Sequence, residues 1–425
     1  MQEEDCLCRV RVTMEIKTVR RNVIPFRDFV VIPYYLFATI GLVPFDPHPG
    51  YRISWLKTLY WWSSYVNHLI CVVGEMIYFY AAWKDDEKDE VLFLELTALA
   101  PCTIFSSIAL IKLNMIWWNQ KRLTRIVNKL EEIFPKTEDD QEEYHIRETR
   151  RESYMITIYF SVSYMILIWV FNLLPLIVSI MDYMDTGIYK RQLPYFIWYP
   201  FNPTKTAKMF MIMYVQQNWG AFVSMIGILG TDLFFGCFIT QLSMQFKALT
   251  HHLTFITTPR RAKGSRNARL KSAIERHHTL IDLCAEMEDI YNFSILCNFV
   301  LSSLMICLVG FQSTNPDVHF DILFKYVMFL ICAMWQVFCL CYYGNVLLET
   351  SQALSWGAFC SQWHREDAEY QKSILMILMR AQRPQYVTAG KFSIVSLRSF
   401  TAILSTAFSY FTLLRSVYYD NGGGF

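Results

Sequence analysis

Seven stretches of the chain stay apolar for about 20 residues or more, the length an α-helix needs to cross a bilayer. They run roughly over Trp55–Trp83, Val91–Trp118, Tyr154–Met181, Met209–Phe238, Ile290–Phe311, Ile322–Leu348 and Phe392–Tyr418, each bounded by charge, Pro or Gly. An eighth run, Phe29–Val43, is too short to span and contains Pro33, so it reads as an interfacial or re-entrant segment. The pattern predicts an all-α membrane protein with seven transmembrane helices.

Helical spacing continues past several of these spans. No Pro interrupts Met209 to His252, which as one helix would reach about 65 Å, twice the hydrocarbon thickness. Leu270, Ile274, Ile281, Cys284 and Met287 recur at helical spacing within Ala268–Asp289. Ser351–Trp363 carries on from span six, and Glu366–Arg380 forms a further helix with Ile374, Leu375, Ile377, Leu378 and Met379 before Pro384 and Gly390 break it. Apolar faces on helices that project into water must be covered. The expectation is a layer of inner helix extensions in which Ile274, Ile281, Ile374, Ile377 and Leu378 anchor one subunit to another. Folding back on the same subunit is the alternative. The organisation is then 1–54, an N-terminal segment; 55–246, spans one to four; 247–289, a helical extension; 290–350, spans five and six; 351–391, anchor helices; 392–418, span seven; and 419–425, a tail.

Basic residues set the orientation. The segments on the N-terminal side of the membrane hold 28 Lys and Arg and those on the other side seven, with four more near span ends. This predicts a cytoplasmic N-terminus, an extracellular C-terminus and a cytoplasmic anchor layer. A G-protein-coupled receptor has the opposite orientation. The outer loop Asp182–Lys208 also lacks Cys, and the last span lacks NPxxY. The sequon Asn292-Phe-Ser294 falls at the inner membrane face, where it should stay unmodified.

Composition narrows the classes further. The chain is 54 % hydrophobic and 18 % charged, against about 25 % charged in soluble domains. A net charge of +2 leaves no basic surface for nucleic acid. Most of the 12 cysteines lie inside apolar runs and read as small packing residues. No P-loop, HExxH or Gly-x-Ser-x-Gly occurs, and His251-His252 and His277-His278 lack the i, i+4 spacing of a helical metal site. Neither enzyme activity nor a cofactor or metal is expected. A transporter would show an internal repeat, and none is visible.

Several short motifs, loose singly, occur together in order: Leu193-Pro194 with Trp198-Tyr199-Pro200-Phe201, Asp232 with Gln245-Phe246, His277-His278, Arg380-Ala-Gln-Arg-Pro384, Ala389-Gly390-Lys391-Phe392, and Ser409-Tyr410-Phe411-Thr412-Leu413-Leu414. Over nearly its whole length the chain resembles the insect odorant receptors, seven-span odorant-gated cation channels with cytoplasmic N-termini. The short loop between spans four and five resembles the ligand-specific tuning subunits rather than the longer shared co-receptor. The gustatory receptors end in a Thr-Tyr…Gln-Phe signature that Ser409-Tyr410 does not complete. The resemblance implies a multi-pass protein of the plasma membrane of olfactory sensory neurons. It also implies a heterotetramer with co-receptor subunits, surrounded by lipid and opened by a small volatile odorant through a pore lined by the last span. A gustatory-type channel and a seven-span receptor signalling through intracellular proteins are the alternative readings.

Within that frame, Ser399, Ser405, Thr406, Ser409, Thr412 and Ser416 share one side of span seven, with Ala402 and Leu413 among them, while Phe400, Leu404, Phe408 and Phe411 take the other. Small hydroxyls suit a weakly selective aqueous pore, and Leu413 with Val417 would constrict it. Equally, Ser and Thr bond back to their own helix or pack helix on helix. The odorant pocket is expected in the outer half of the bundle, among Phe93, Thr97, Tyr164, Met165, Ile168, Trp169, Asn172, Met213, Tyr214, Gln217 and Tyr326. Aromatic walls and adaptable Met would surround the ligand, and Asn172 or Gln217 would supply hydrogen bonds. Some of these aromatics would instead pack or face lipid. Glu75, Asp232 and Arg398 are ionisable groups within spans and functional candidates on that ground. Asp232 and Arg398 match in depth as a pair, and Arg398 also lies near enough to the inner interface to snorkel.

Overall fold

The computed structural model describes residues 23–47, 51, 53–84, 89–187, 191–257, 263–314 and 320–420. The basic N-terminal segment, the residues around Pro259 and the glycine-rich tail fall outside this set, as do the side chains of Phe93 and Leu94. The helices are α1 (Val31–Thr39), α2 (Trp55–Trp83), α3 (Asp89–Trp118), α4 (Gln120–Ile133), α5 (Glu138–Glu143), α6 (Ile146–Thr186), α7 (Ala207–Thr254), α8 (Lys263–Ser313), α9 (Phe320–Cys360), α10 (Ala368–Ala381) and α11 (Leu397–Asp420). Seven of them, α2, α3, α6 to α9 and α11, are long and apolar enough to span a membrane.

Helix α7 is the centre. In its most apolar stretch 94 % of residues are buried, because α9, α3, α2, α6, α1 and α8 all pack on it. A helix apolar on every side needs such a sheath. The short α1 is part of it: Phe37 and Ile40 are wholly buried, and the Phe37 ring stacks on Phe234 with centroids 5.6 Å apart. This contact holds the eighth apolar run against the bundle.

Helices α7, α8 and α9 continue as unbroken rods past the membrane length, at 48, 51 and 41 residues. Their extensions gather with α4 and α10 into the helical layer. Helix α4 turns Leu123, Ile126, Val127 and Leu130 inward. Its outward Arg122 reaches Asp289 of α8 at 2.8 Å, and Arg125 reaches Glu286 at 3.0 Å. His251 and His278 face carboxylates at the surface, Glu143 at 3.2 Å and Asp282 at 2.9 Å. Among the described residues all ten cysteines are free thiols, and no three His, Cys, Asp or Glu side chains converge on a metal position.

Two expectations need correcting here. Span seven begins at Leu397, because Thr388–Ala389 and Ser393–Ile394 pair as an antiparallel hairpin ahead of it. Gly390 turns that hairpin with φ +58°. Its N–H donates to the carbonyl of Asn292 in α8 at 3.0 Å. In the anchor layer, Ile374 and Ile377 are buried within their own subunit at 0 % and 4 % exposure. They pack inward, with α10 lying on α9, and cannot make the contact between subunits. The apolar residues that α10 leaves exposed are Leu375, Met376 and Met379. Ile274 stays exposed on α8, whereas Ile281 and Leu378 are half-buried.

Candidate functional site

An apolar cleft lies among α2, α3, α6, α7 and α9, with about 560 Å³ of empty space open at its mouth. Phe105 of α3, Tyr164, Ile168 and Phe171 of α6, and Phe329 of α9 form its greasy walls. Glu75, Ser106, Gln217 and Ser224 supply polar groups. A second cleft of about 520 Å³ shares Glu75, Cys102, Phe171 and Tyr195 with the first and adds Lys325 and Tyr326. A larger groove between α6, α7 and α9 is open and walled by Glu143, Glu148, Glu152 and Lys247. Its charged wall is unsuited to an apolar molecule. The first cleft has the apolar lining and sparse polar groups of a small-molecule site.

The loop between α6 and α7 closes one side, and two side chains fix it there. Gln217 accepts from the backbone N–H of Tyr195 at 3.1 Å and donates to the Tyr199 hydroxyl at 3.3 Å. Asn172 accepts from the Tyr195 hydroxyl at 3.1 Å, and its carbonyl accepts from the Tyr214 hydroxyl at 2.5 Å. The sequence pointed to Asn172 or Gln217 as a hydrogen-bond partner for the ligand. Asn172 Oδ1 and both polar atoms of Gln217 are engaged with the loop.

Other expected ligand residues separate into two sets. Tyr164, Ile168 and Gln217 line the first cleft and Tyr326 the second. Trp169 and Met165 are 56 % and 40 % exposed on the outer surface of α6, one residue off the cleft-facing stripe. Thr97 is buried and accepts from Gln312 at 2.6 Å, and Met213 and Tyr214 are half-buried on α7 outside the cleft lining. Phe93 lies outside the described side chains. The sequence reading missed Phe105, Phe171, Tyr195 and Phe329, which no local motif distinguishes from packing residues. It singled out Glu75 for its charge without placing it at the site.

Behind the cleft wall lies a buried polar chain. The Tyr164 hydroxyl donates to Gln336 Oε1 at 3.3 Å, and Gln336 Nε2 donates to Asp232 Oδ2 at 2.9 Å and to Asn298 Oδ1 at 3.2 Å. Lys112 Nζ meets Asp232 Oδ1 at 2.6 Å with both side chains nearly solvent-free. Asp232 therefore pairs with Lys112, not with Arg398, which is exposed on α11.

Helix α11 is the outlier of the bundle. Only 6 % of its most apolar stretch is buried. Ile403 and Ala407 face α8 and α9, and Phe400 meets Phe338 with ring centroids 5.5 Å apart. Ser405, Thr406, Ser409, Thr412, Leu413, Ser416 and Val417 are all exposed. The hydroxyls of Thr406, Ser409, Thr412 and Ser416 bond back within the helix, as Ser409 to the carbonyl of Ser405 at 2.9 Å and Ser416 to that of Leu413 at 3.0 Å. Phe408, on the side away from the hydroxyls, is 65 % exposed as well.

The sequence model of the 7tm Odorant receptor family matches residues 93–408. The chain belongs to the odorant receptor family. Among its Drosophila melanogaster relatives, this receptor is 27 % identical to Odorant receptor 85c, over 92 % of this chain and 99 % of that one. It is 28 % identical to Odorant receptor 67c, over 93 % and 97 %. The structure of the olfactory receptor OR5 from the insect Machilis hrabei in complex with eugenol superposes with a TM-score of 0.80 at 17 % identity. That likeness covers 92 % of this chain and 98 % of that one. It shows the receptor's seven-span fold.

Proposed function

We propose that this odorant receptor is a ligand-specific tuning subunit of an odorant-gated, non-selective cation channel. It assembles with co-receptor subunits as a heterotetramer in the plasma membrane of olfactory sensory neurons. The N-terminus and the helical layer are cytoplasmic and the C-terminus extracellular, as the basic residues favour. The observation that carries the reading is the bare α11. A spanning helix that its own subunit hardly covers, with hydroxyls in a row on the uncovered side, suits a shared axis where several subunits meet. Water there would be flanked by hydroxyls and backbone, and Leu413 and Val417 would close the passage by dewetting. Leu413→Ser should raise the current that flows without odorant. Cysteines placed at Ser409 and Leu413 should react faster with water-borne thiol reagents when odorant is present. No change in basal current or reactivity at either position would remove α11 from the pore.

The apolar cleft is the odorant site in this reading. The eugenol complex of the Machilis receptor supports a small organic molecule as its occupant. Phe105→Ala should shift the odorant dose–response by about one to two decades, since losing a buried aromatic contact costs roughly 1–3 kcal/mol. Trp169→Ala, on the outer surface, should leave it unchanged. Measuring both by current in co-expressing cells tests the assignment, and the opposite ranking would move the site to the exposed face of α6.

A further inference from the structure

Glu75 stands in the last third of α2, 6 % exposed, on the wall shared by both clefts. Its Oε2 is cut off from solvent and has no hydrogen-bond partner. Among the described residues lining the first cleft it is the one fully buried polar side-chain atom left in that condition. The neighbouring polar groups are engaged elsewhere: Gln217 with the loop, the Tyr195 hydroxyl with Asn172, and Ser224 with the carbonyl of Gly220 at 3.0 Å. A buried polar atom without a partner is costly, and a carboxyl more so than an amide or hydroxyl. In a cavity built to be filled, the missing partner belongs to the occupant.

We propose that Glu75 anchors the basic nitrogen of a small amine, which makes amines a ligand class of this receptor. The inference rests on the cleft being the odorant site. A basic nitrogen completes the carboxyl in either protonation state. If the acid is protonated and the amine arrives as free base, the proton passes from the carboxyl oxygen to nitrogen. If a carboxylate meets an ammonium ion, no proton moves. Both routes end in the same neutral pair joined by a charge-assisted N–H···O bond. An alcohol can bond the carboxyl but cannot neutralise it. The aromatic faces of Phe105, Phe171 and Tyr164 suit a cation as well. Phe171 already carries one, since Lys325 Nζ lies 4.2 Å from its ring centroid in the second cleft. Lys325 is the cation nearest in kind to the proposed ligand. The remaining titratable groups on the two walls are Cys71, Cys102, Tyr78, Tyr164, Tyr195 and Tyr326.

The test uses 2-phenylethylamine, with 2-phenylethanol and phenylacetaldehyde as shape-matched controls. Currents are recorded from the full-length receptor co-expressed with co-receptor, and thermal stabilisation is read on the purified receptor. In wild type the amine should stabilise the receptor more than either control and should open the channel. Glu75→Gln keeps the volume and removes the ionisable oxygen. It should weaken the amine response about 10–100-fold and the response to the alcohol far less, since the amide can still bond a hydroxyl but cannot neutralise an ammonium. Glu75→Asp, which keeps the charge but draws it back, should fall between. Stabilisation by the amine that depends on Glu75 without any current would uphold the ligand class and sink the channel reading. An amine no better than the alcohol on wild type would overturn the inference and leave the channel untouched. Equal amine responses in wild type and Glu75→Gln would overturn it too.

Discussion

Asp232→Leu should leave almost no folded receptor, whereas Asp232→Leu combined with Lys112→Met should recover most of it. The two side chains meet at 2.6 Å in a part of the bundle that solvent does not reach. Removing one partner strands a charge there, which costs about 3–5 kcal/mol, a large share of a typical folding free energy. Removing both takes away the stranded charge as well. The double variant would still lose one of the bonds made by Gln336, which also donates to Asn298 and accepts from Tyr164. Yield and thermal stability of fluorescently tagged receptor in detergent report the outcome. A single variant as stable as wild type would mean that Lys112 finds another anion.

Charge on α10 should have opposite consequences on its two faces. Ile374→Asp places a carboxylate at a fully buried position against α9, and the receptor should fail to accumulate. Met379→Asp changes a residue that is 70 % exposed, so the subunit should fold with its usual melting temperature. If Met379, Met376 and Leu375 meet a neighbouring subunit, co-purification with co-receptor should drop sharply. Size-exclusion profiles of the two variants separate the effects. Intact assembly of Met379→Asp would place the subunit contact elsewhere in the layer.

These two cases show where sequence reading reaches and where it stops. Long apolar runs bounded by charge locate spans, because the bilayer imposes a length on them. Six of the seven expected spans sit inside observed helices with little change. The azimuth of each helix is harder. A helix that is apolar all round has no stripe to read, so Trp169 and Tyr164 looked alike although only one faces the cleft. Ile374 was legible as buried, but burial within a subunit and burial between subunits leave the same residue types. Depth along the membrane suggested Arg398 for Asp232, while the true partner, Lys112, lies on a helix that packs directly on α7. The hairpin before α11 pairs two residues on each strand, too few for an alternating pattern to show.

That hairpin turns α11 into a lever. Val395, just ahead of the helix, donates its N–H to the carbonyl of Val387 at 2.9 Å. Its own carbonyl presses so closely on Gly344 of α9 that a Cβ there would lie 2.4 Å from the oxygen. The base is a fulcrum seated against α8 and α9, and the arm beyond it is mostly bare. From Leu397 to Leu413 the arm measures about 24 Å, so a rotation of about 5° at the fulcrum would swing Leu413 by about 2 Å. Substitutions at Gly344 should therefore act on the far end of the helix out of proportion to their size.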